Sequence, residues 1–133
     1  MNIKRFLSAA IVLFVFIFGY ESFVHGVMLK SLYLETPSIW RNYNQMMEYA
    51  PFNIGIMVLL SLWITFIFTR LFKEGGWSNG LRFGFYFGVL SSIQAIGAYY
   101  YLPISALLAA CWFVAYLIES ILGGLLIGCI YRR

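Results

Sequence analysis

Residues 104–131 read ISALLAACWFVAYLIESILGGLLIGCIY, 28 positions with one charged side chain, Glu119, followed at once by Arg132 and Arg133. Coiled as an α-helix, this run would measure about 42 Å, whereas the hydrocarbon core of a bilayer is about 30 Å thick. Its length and apolar character predict a membrane-spanning helix. The pattern recurs upstream at residues 6–29, 52–69 and 79–101, each with Lys or Arg near one end. Over 133 residues the chain is 62% hydrophobic and 11% charged, where a soluble domain carries about 25% charge. Four spans leave no room for a soluble catalytic domain. The expected fold class is therefore an all-α integral membrane protein: one transmembrane domain over 1–133, built as a four-transmembrane-helix bundle.

The first span, preceded by Lys4 and Arg5, has the outline of a signal peptide. No A-x-A-like site comes after it, and the apolar run continues through Phe23, Val24 and Val27 to Leu29, so a retained span is expected. Basic residues set the orientation. Lys4, Arg5, Arg70, Lys73, Arg82, Arg132 and Arg133 fall on one side of the four spans, and only Lys30 and Arg41 on the other. Both termini are thus expected in the cytoplasm. The net charge of +4 comes from residues flanking the spans rather than from a basic stripe, so the lipid bilayer is the expected partner and nucleic acid is not.

The outer segment LETPSIWRNYNQMMEYAP, residues 34–51, predicts a short interfacial periplasmic helix between helices 1 and 2, over about residues 37–49. Thr36 can cap its free amides and Pro37 suits the first helical position. Ile39, Tyr43, Met46 and Ala50 recur at helical spacing among Arg41, Asn42, Gln45 and Glu48. A substrate lid is the alternative to a plain anchor. The short Gly-rich turn LFKEGGWSNG predicts that spans 2 and 3 are antiparallel neighbours. Trp40, Trp77 and Tyr99 to Tyr101 fit aromatic belts at headgroup level.

Gly80, Gly84, Gly88 and Ser92 stand at four-residue steps in span 3, as do Ser120, Gly124 and Gly128 in span 4. Small residues at this spacing let helix backbones approach closely where lipid abolishes the hydrophobic drive. These faces, with Ser22 and Gly26 in span 1 and Ser61, Thr65 and Thr69 in span 2, are expected toward the bundle interior. The same glycine grooves could make a homo-oligomer. Cys111 and Cys129 would lie about 27 Å apart along one helix, too far for a disulfide.

Glu21, Glu119 and Gln94 are costly where they stand, at about 2.5 kcal/mol or more for an intramembrane carboxylate, so each should face inward and find a partner. Counted from the basic ends, all three fall roughly 18–24 Å up their helices and share a level. His25 comes four residues after Glu21, on the same face. These positions predict a polar core or ligand-binding site of Glu21, Glu119, Gln94, His25, Ser22 and Ser120. Any metal would fall to Glu21, His25 and Glu119, although structural sites usually need four ligands. The plain alternative is that Glu21 bonds to Gln94, Ser92 or Ser120. The residues name no cofactor, and with one histidine in the chain a transmembrane haem would require a dimer or a His/Met pair. Glu21, Ser22, Gly26 and Tyr33 also align with Glu119, Ser120, Gly124 and Tyr131 at a constant offset of 98, as an inverted-topology repeat would. No phosphate loop, nucleophile elbow or Cys pair with metal spacing occurs, which disfavours an enzyme.

The stretches VHGVMLKSLYLETPSIWR, IFTRLFKEGGWSNGLRFGFYFG and ESILGGLLIGCIYRR resemble a family of small uncharacterised bacterial four-helix inner-membrane proteins, a domain of unknown function. The likeness runs through His25, Gly26, Lys30, Tyr33, Trp40, Arg41, Gly76, Gly80 and Gly84. It implies a multi-pass protein of the bacterial inner membrane, and no substrate, cofactor or catalytic residue. Three functions are expected in turn: a bundle that binds or conducts a small solute or cation, a structural or assembly protein acting through helix packing, and a membrane enzyme acting on a lipid or quinone. The last needs the polar level to open sideways to lipid.

Overall fold

The computed structural model describes residues 2–132, which are helical almost throughout, with no β-strand among them. Helix α1 (Ile3–Phe23) starts on the side chain of Asn2, which accepts from the Arg5 amide at 3.1 Å, and runs into a π-helical turn, Val24–Met28. After a bend at Leu29 come α2 (Lys30–Tyr33), a 3-10 turn (Pro37–Ile39) and α3 (Tyr43–Glu48). Three long helices complete the chain: α4 (Ala50–Leu71), α5 (Trp77–Gly97, extended by a 3-10 turn at Ala98–Tyr100) and α6 (Ala106–Ile130). Three segments, Ile3–Met28, Ala50–Leu71 and Ala106–Ile130, are long and apolar enough to cross a membrane. Such helices are the mark of a membrane protein. Helix α5 has 21 residues but is diluted by Asn79, Arg82, Ser91, Ser92 and Gln94.

One end of the bundle gathers the basic residues. There the Arg5 side chain donates to the carbonyl of Arg132, Gly75 pairs with Arg132, and the Gly76 amide donates to the Gly128 carbonyl at 3.0 Å. Gly75 and Gly76 take φ of 67° and 95°, which a side chain would strain. A Cβ on Gly75 would also lie 1.5 Å from the Tyr131 carbonyl oxygen. That turn therefore supplies a donor to the Gly128 carbonyl in the last turn of α6, which would otherwise lack one.

The closest helix pair is α5 with α6, while α1 packs on both α4 and α6. A Cβ built on Gly80 would sit 2.3 Å from the Gly124 carbonyl oxygen, one on Gly84 2.4 Å from that of Ser120, and one on Gly128 2.5 Å from that of Gly76. The two glycine stripes thus face each other within one chain, backbone on backbone. Gly123 turns the neighbouring face of α6 to α1, where its Cβ would touch Leu13 at 3.0 Å. Along α1 the buried stripe is Ala9, Leu13 and Ile17 at four-residue steps. Glu21 and His25 continue the same phase.

Three expectations are corrected. Spans 2 and 3 are joined by a tight turn yet do not pack closely: α4 and α5 meet through Phe68 and Phe83, ring centroids 5.5 Å apart, and through Phe72 and Phe83 at 6.4 Å. Bulky rings hold these axes apart, because the small face of α5 is spent on α6. Residues 50–60 of α4 include no buried position, whereas Ser61, Ile64, Thr65, Phe68 and Thr69 are buried, so α4 splays from the bundle toward its start. Second, residues 37–49 are not one helix. Thr36 makes no cap and instead accepts from Trp40 Nε1 at 3.2 Å, while Asn42 and Gln45 form a reciprocal capping box that starts α3. Residues 41–49 are exposed throughout. Third, Ser22 and Gly26 are exposed on the outside of α1 rather than turned inward. Ser22 satisfies its hydroxyl on the Phe18 carbonyl at 2.6 Å.

Candidate intramembrane site

The common phase of Leu13, Ile17 and Glu21 delivers Glu21 to the seam between α1 and α6. Glu119, four residues before Gly123, stands on the α6 side of that seam. Glu21 is near enough for its charge to act on Glu119. Nearby, the Tyr20 hydroxyl donates to the Ala115 carbonyl at 2.9 Å and clamps α1 to α6.

From Glu21 a chain of polar contacts leads to the end of the bundle remote from the basic residues. His25 Nε2 lies 3.2 Å from Glu21 Oε2, and His25 Nδ1 is hydrogen-bonded to the Tyr33 hydroxyl. The Tyr33 oxygen also accepts from Trp112 Nε1 at 2.7 Å. Trp40 closes the group with rings edge-on to Tyr33 and Trp112, at 5.1 and 6.2 Å. Burial, opposed by the Trp112 hydrogen bond and reinforced by Glu21, pushes the Tyr33 hydroxyl up to about 12.

Two backbone features make this chain possible. Tyr33 stands eight residues after His25, which straight helix would place about 12 Å along the axis. The π turn, with the Leu29 amide bonded to the Val24 carbonyl at 2.8 Å, and the bend at Leu29 redirect the chain so that Tyr33 reaches back over His25. Single π turns concentrate at functional sites because they re-aim side chains.

Beside Glu119 lies an open-sided cavity of about 510 Å³. Its walls are mostly apolar: Leu13 and Ile17 of α1, Leu60 and Ile64 of α4, and Phe83 and Phe87 of α5. The polar groups that line it are Ser91, Gln94, Tyr101, Trp112, Tyr116, Glu119 and Ser120, and no Lys or Arg is among the described lining residues. Glu119 Oε1 is buried and has no hydrogen-bond partner among the described residues. The cavity occupies the wedge that splaying of α4 leaves against α5 and α6.

The sequence-predicted residues therefore divide. Glu21, Glu119 and His25 come together, Gln94 and Ser120 join Glu119 on the cavity wall, and Ser22 faces away. Among the described residues no three His, Cys, Asp or Glu side chains converge as metal ligands. The 98-residue repeat brings its two glutamates near each other but places nothing else equivalently: Gly26 is exposed and Gly124 buried, and Tyr131 is buried beside Phe68 rather than bonded to a histidine. Polarity at a given depth does not single out Tyr33, Trp112 or Tyr116 as site residues. Trp112, Tyr116, Glu119 and Gly123 lie at steps of four, three and four, so extending the face of Glu119 by helical spacing finds two of them.

No protein-family model, curated protein or solved structure matches this chain.

Proposed function

We propose that this chain is a four-span membrane protein that binds a small solute with an apolar body and one hydrogen-bond-donating head, admitted sideways from the lipid between α4 and α5. The carrying observation is Glu119 Oε1, a buried acceptor without a donor among the described residues, at the wall of an apolar, open-sided cavity. A buried polar atom left unpaired costs about 1–3 kcal/mol, which a ligand donor would recover. The volume falls in the range of about 300–1,000 Å³ typical of small-molecule sites.

A fourth crossing by α5 is supported by connectivity. Helices α4 and α6 both end at the basic end, so α5 must carry the chain back over the length of the bundle. Its 21 residues would span about 31 Å. The positive-inside rule then puts the basic end in the cytoplasm and Tyr33 at the outer surface, and the family resemblance supports a bacterial inner membrane. The assembly alternative gains nothing from the glycine stripes, which already cover each other.

The test uses protein in lipid nanodiscs, native mass spectrometry, and 4-phenylbutan-1-ol as a donor-headed probe. Saturable binding of one probe per chain is expected, with loss in Leu60→Trp, which fills the cavity mouth without touching the α5 and α6 contact. Equal probe uptake by the wild type and Leu60→Trp would overturn the proposal.

A further inference from the structure

Resting on that reading of the cavity, we infer that the site is regulated by pH at the outer surface: a proton taken up from water by His25 breaks the hydrogen bond between Trp112 and Tyr33 and so weakens solute binding. The histidine cluster and the cavity share a wall. Trp112 donates from Nε1 to the Tyr33 oxygen at 2.7 Å and also lines the cavity. Tyr116, four residues on along α6, lines it too, with its ring centroid 6.3 Å from that of His25. A change at His25 therefore reaches two side chains against which the solute rests.

The hydrogens of this cluster follow from what each group can donate. An indole N–H only donates, so Trp112 gives its hydrogen to the Tyr33 oxygen. The Tyr33 hydrogen then goes to His25 Nδ1, the one acceptor bonded to that hydroxyl among the described residues. Nδ1 is thus bare, and the hydrogen of the neutral ring sits on Nε2, 3.2 Å from Glu21 Oε2. Every donor from Trp112 through Tyr33 to His25 has an acceptor. The π turn and the Leu29 bend, which bring Tyr33 back over His25, are what allow this complete row.

A second ring proton upsets the row at one place. It lands on Nδ1, so the Tyr33 oxygen faces two donors, Nδ1–H and Trp112 Nε1–H, and its own hydrogen loses its acceptor. His25 stays where it is, because Nε2 remains on Glu21 and the ring is carried by the π turn. Trp112 is the donor that withdraws, and the cavity loses a fixed part of its wall. Histidine is the side chain whose charge ordinarily changes between pH 5 and 8, and that of His25 is 24% exposed, so protons reach it. The other titratable or charged groups around it are Glu21 and Tyr20 on α1, Tyr33 and the exposed Lys30 on α2, and Tyr116 of α6, with Glu119 about one turn further on. Phenols and amines ordinarily titrate near pH 10, which leaves Glu21 and Glu119 as the groups a control must keep.

The experiment uses the full chain in lipid nanodiscs with 4-phenylbutan-1-ol, a probe whose own charge is constant across this range. Its affinity is expected to be about fivefold weaker at pH 5 than at pH 8, the lower end of ordinary coupling between sites. Tyr33→Phe, which removes the hydroxyl and keeps His25, Glu21 and Glu119, should lose most of that difference. The chain has one histidine, so labelling histidine with nitrogen-15 gives an unambiguous ring signal in solid-state magnetic resonance. The neutral ring should carry its hydrogen on Nε2, and saturating alcohol should lower the titration midpoint by about 0.7 pH unit, the logarithm of that affinity ratio, because linkage is reciprocal. Equal or tighter binding at pH 5, a pH dependence that Tyr33→Phe keeps in full, a midpoint the alcohol does not move, or hydrogen on Nδ1 of the neutral ring overturns the regulation while leaving the cavity reading intact. Failure of the alcohol to bind at either pH removes the cavity reading itself, and this inference with it.

Discussion

Gly84→Ala probes the contact on which the cavity depends. The added Cβ would lie 2.4 Å from the Ser120 carbonyl oxygen and 2.9 Å from Ile121 Cα, both backbone atoms of a helix that cannot swing aside. Because real Cβ atoms essentially never approach closer than 3.0 Å, the axes of α5 and α6 must part by at least 3.0 − 2.4 = 0.6 Å. Overpacking of this kind costs about 1–3 kcal/mol. Replacing glycine within a helix returns up to about 1 kcal/mol, so the bare effect on stability would be blurred. Gly55→Ala removes that ambiguity. It makes the same chemical change within a helix, and a Cβ there meets nothing within 4 Å.

The difference between the two variants isolates the steric term: Gly84→Ala should be less stable than Gly55→Ala by about 1–3 kcal/mol. Unfolding in mixed micelles on titration with SDS, followed by far-ultraviolet circular dichroism, measures it. The same pair also separates tertiary packing from association. If the glycine stripes served a second copy, Gly84→Ala would shift oligomeric state and leave monomer stability near that of Gly55→Ala. A difference below about 0.5 kcal/mol would refute the backbone contact, which predicts at least about 1 kcal/mol, and with it the reason that α4 stands apart from α5.

Tyr33 should titrate late: its ultraviolet phenolate signal, isolated as the difference between wild type and Tyr33→Phe, should appear near pH 12 rather than near the ordinary value of 10.0. Since the folded value lies above the unfolded one, the stability this hydroxyl contributes is intact below pH 10 and is lost as pH rises through 12. Tyr33→Phe should show less of that alkaline loss in melting experiments between the two. Asn42→Ala removes one half of the capping box, worth about 1 kcal/mol to a helix start. Because residues 41–49 are exposed, hydrogen exchange should quicken at Gln45 to Glu48 while the global unfolding midpoint stays put.

Legibility from sequence tracks periodicity. The three most apolar helices and the facing glycine stripes come from one-dimensional patterns that a helix converts directly into faces. The splay of α4 is hidden, because a short turn fixes only where two helices begin to run together; the width between them is set by Phe68, Phe72 and Phe83, whose meeting depends on three-dimensional phase. Ser22 and Gly26 mislead for a related reason: small residues permit close packing without requiring it, and on α1 the Ala9, Leu13 and Ile17 stripe claims the interior first. The π turn leaves no mark in the pattern. One extra residue in a turn rotates the aim of every later side chain by about 100°, and only the contact of His25 with Tyr33 reveals it.

The cavity and the carboxyl pair share an origin in the phase of α6. Gly124 and Gly128 face α5, and Gly123, one residue and about 100° around, faces α1. One turn earlier the same two faces carry Ser120, against Gly84 and Gly88, and Glu119, against Glu21. Close approach at the glycines draws α5 onto α6, which leaves the bulky side of α5, with Phe83 and Phe87, to prop α4 away. The wedge so opened ends at the last side chain that looks toward α1 before the glycine contact begins, and that side chain is Glu119. A carboxyl placed two residues earlier would sit at Leu117, which packs on Gly88 of α5, away from the α1 partner. The helix contact that creates the space therefore also determines which acid borders it.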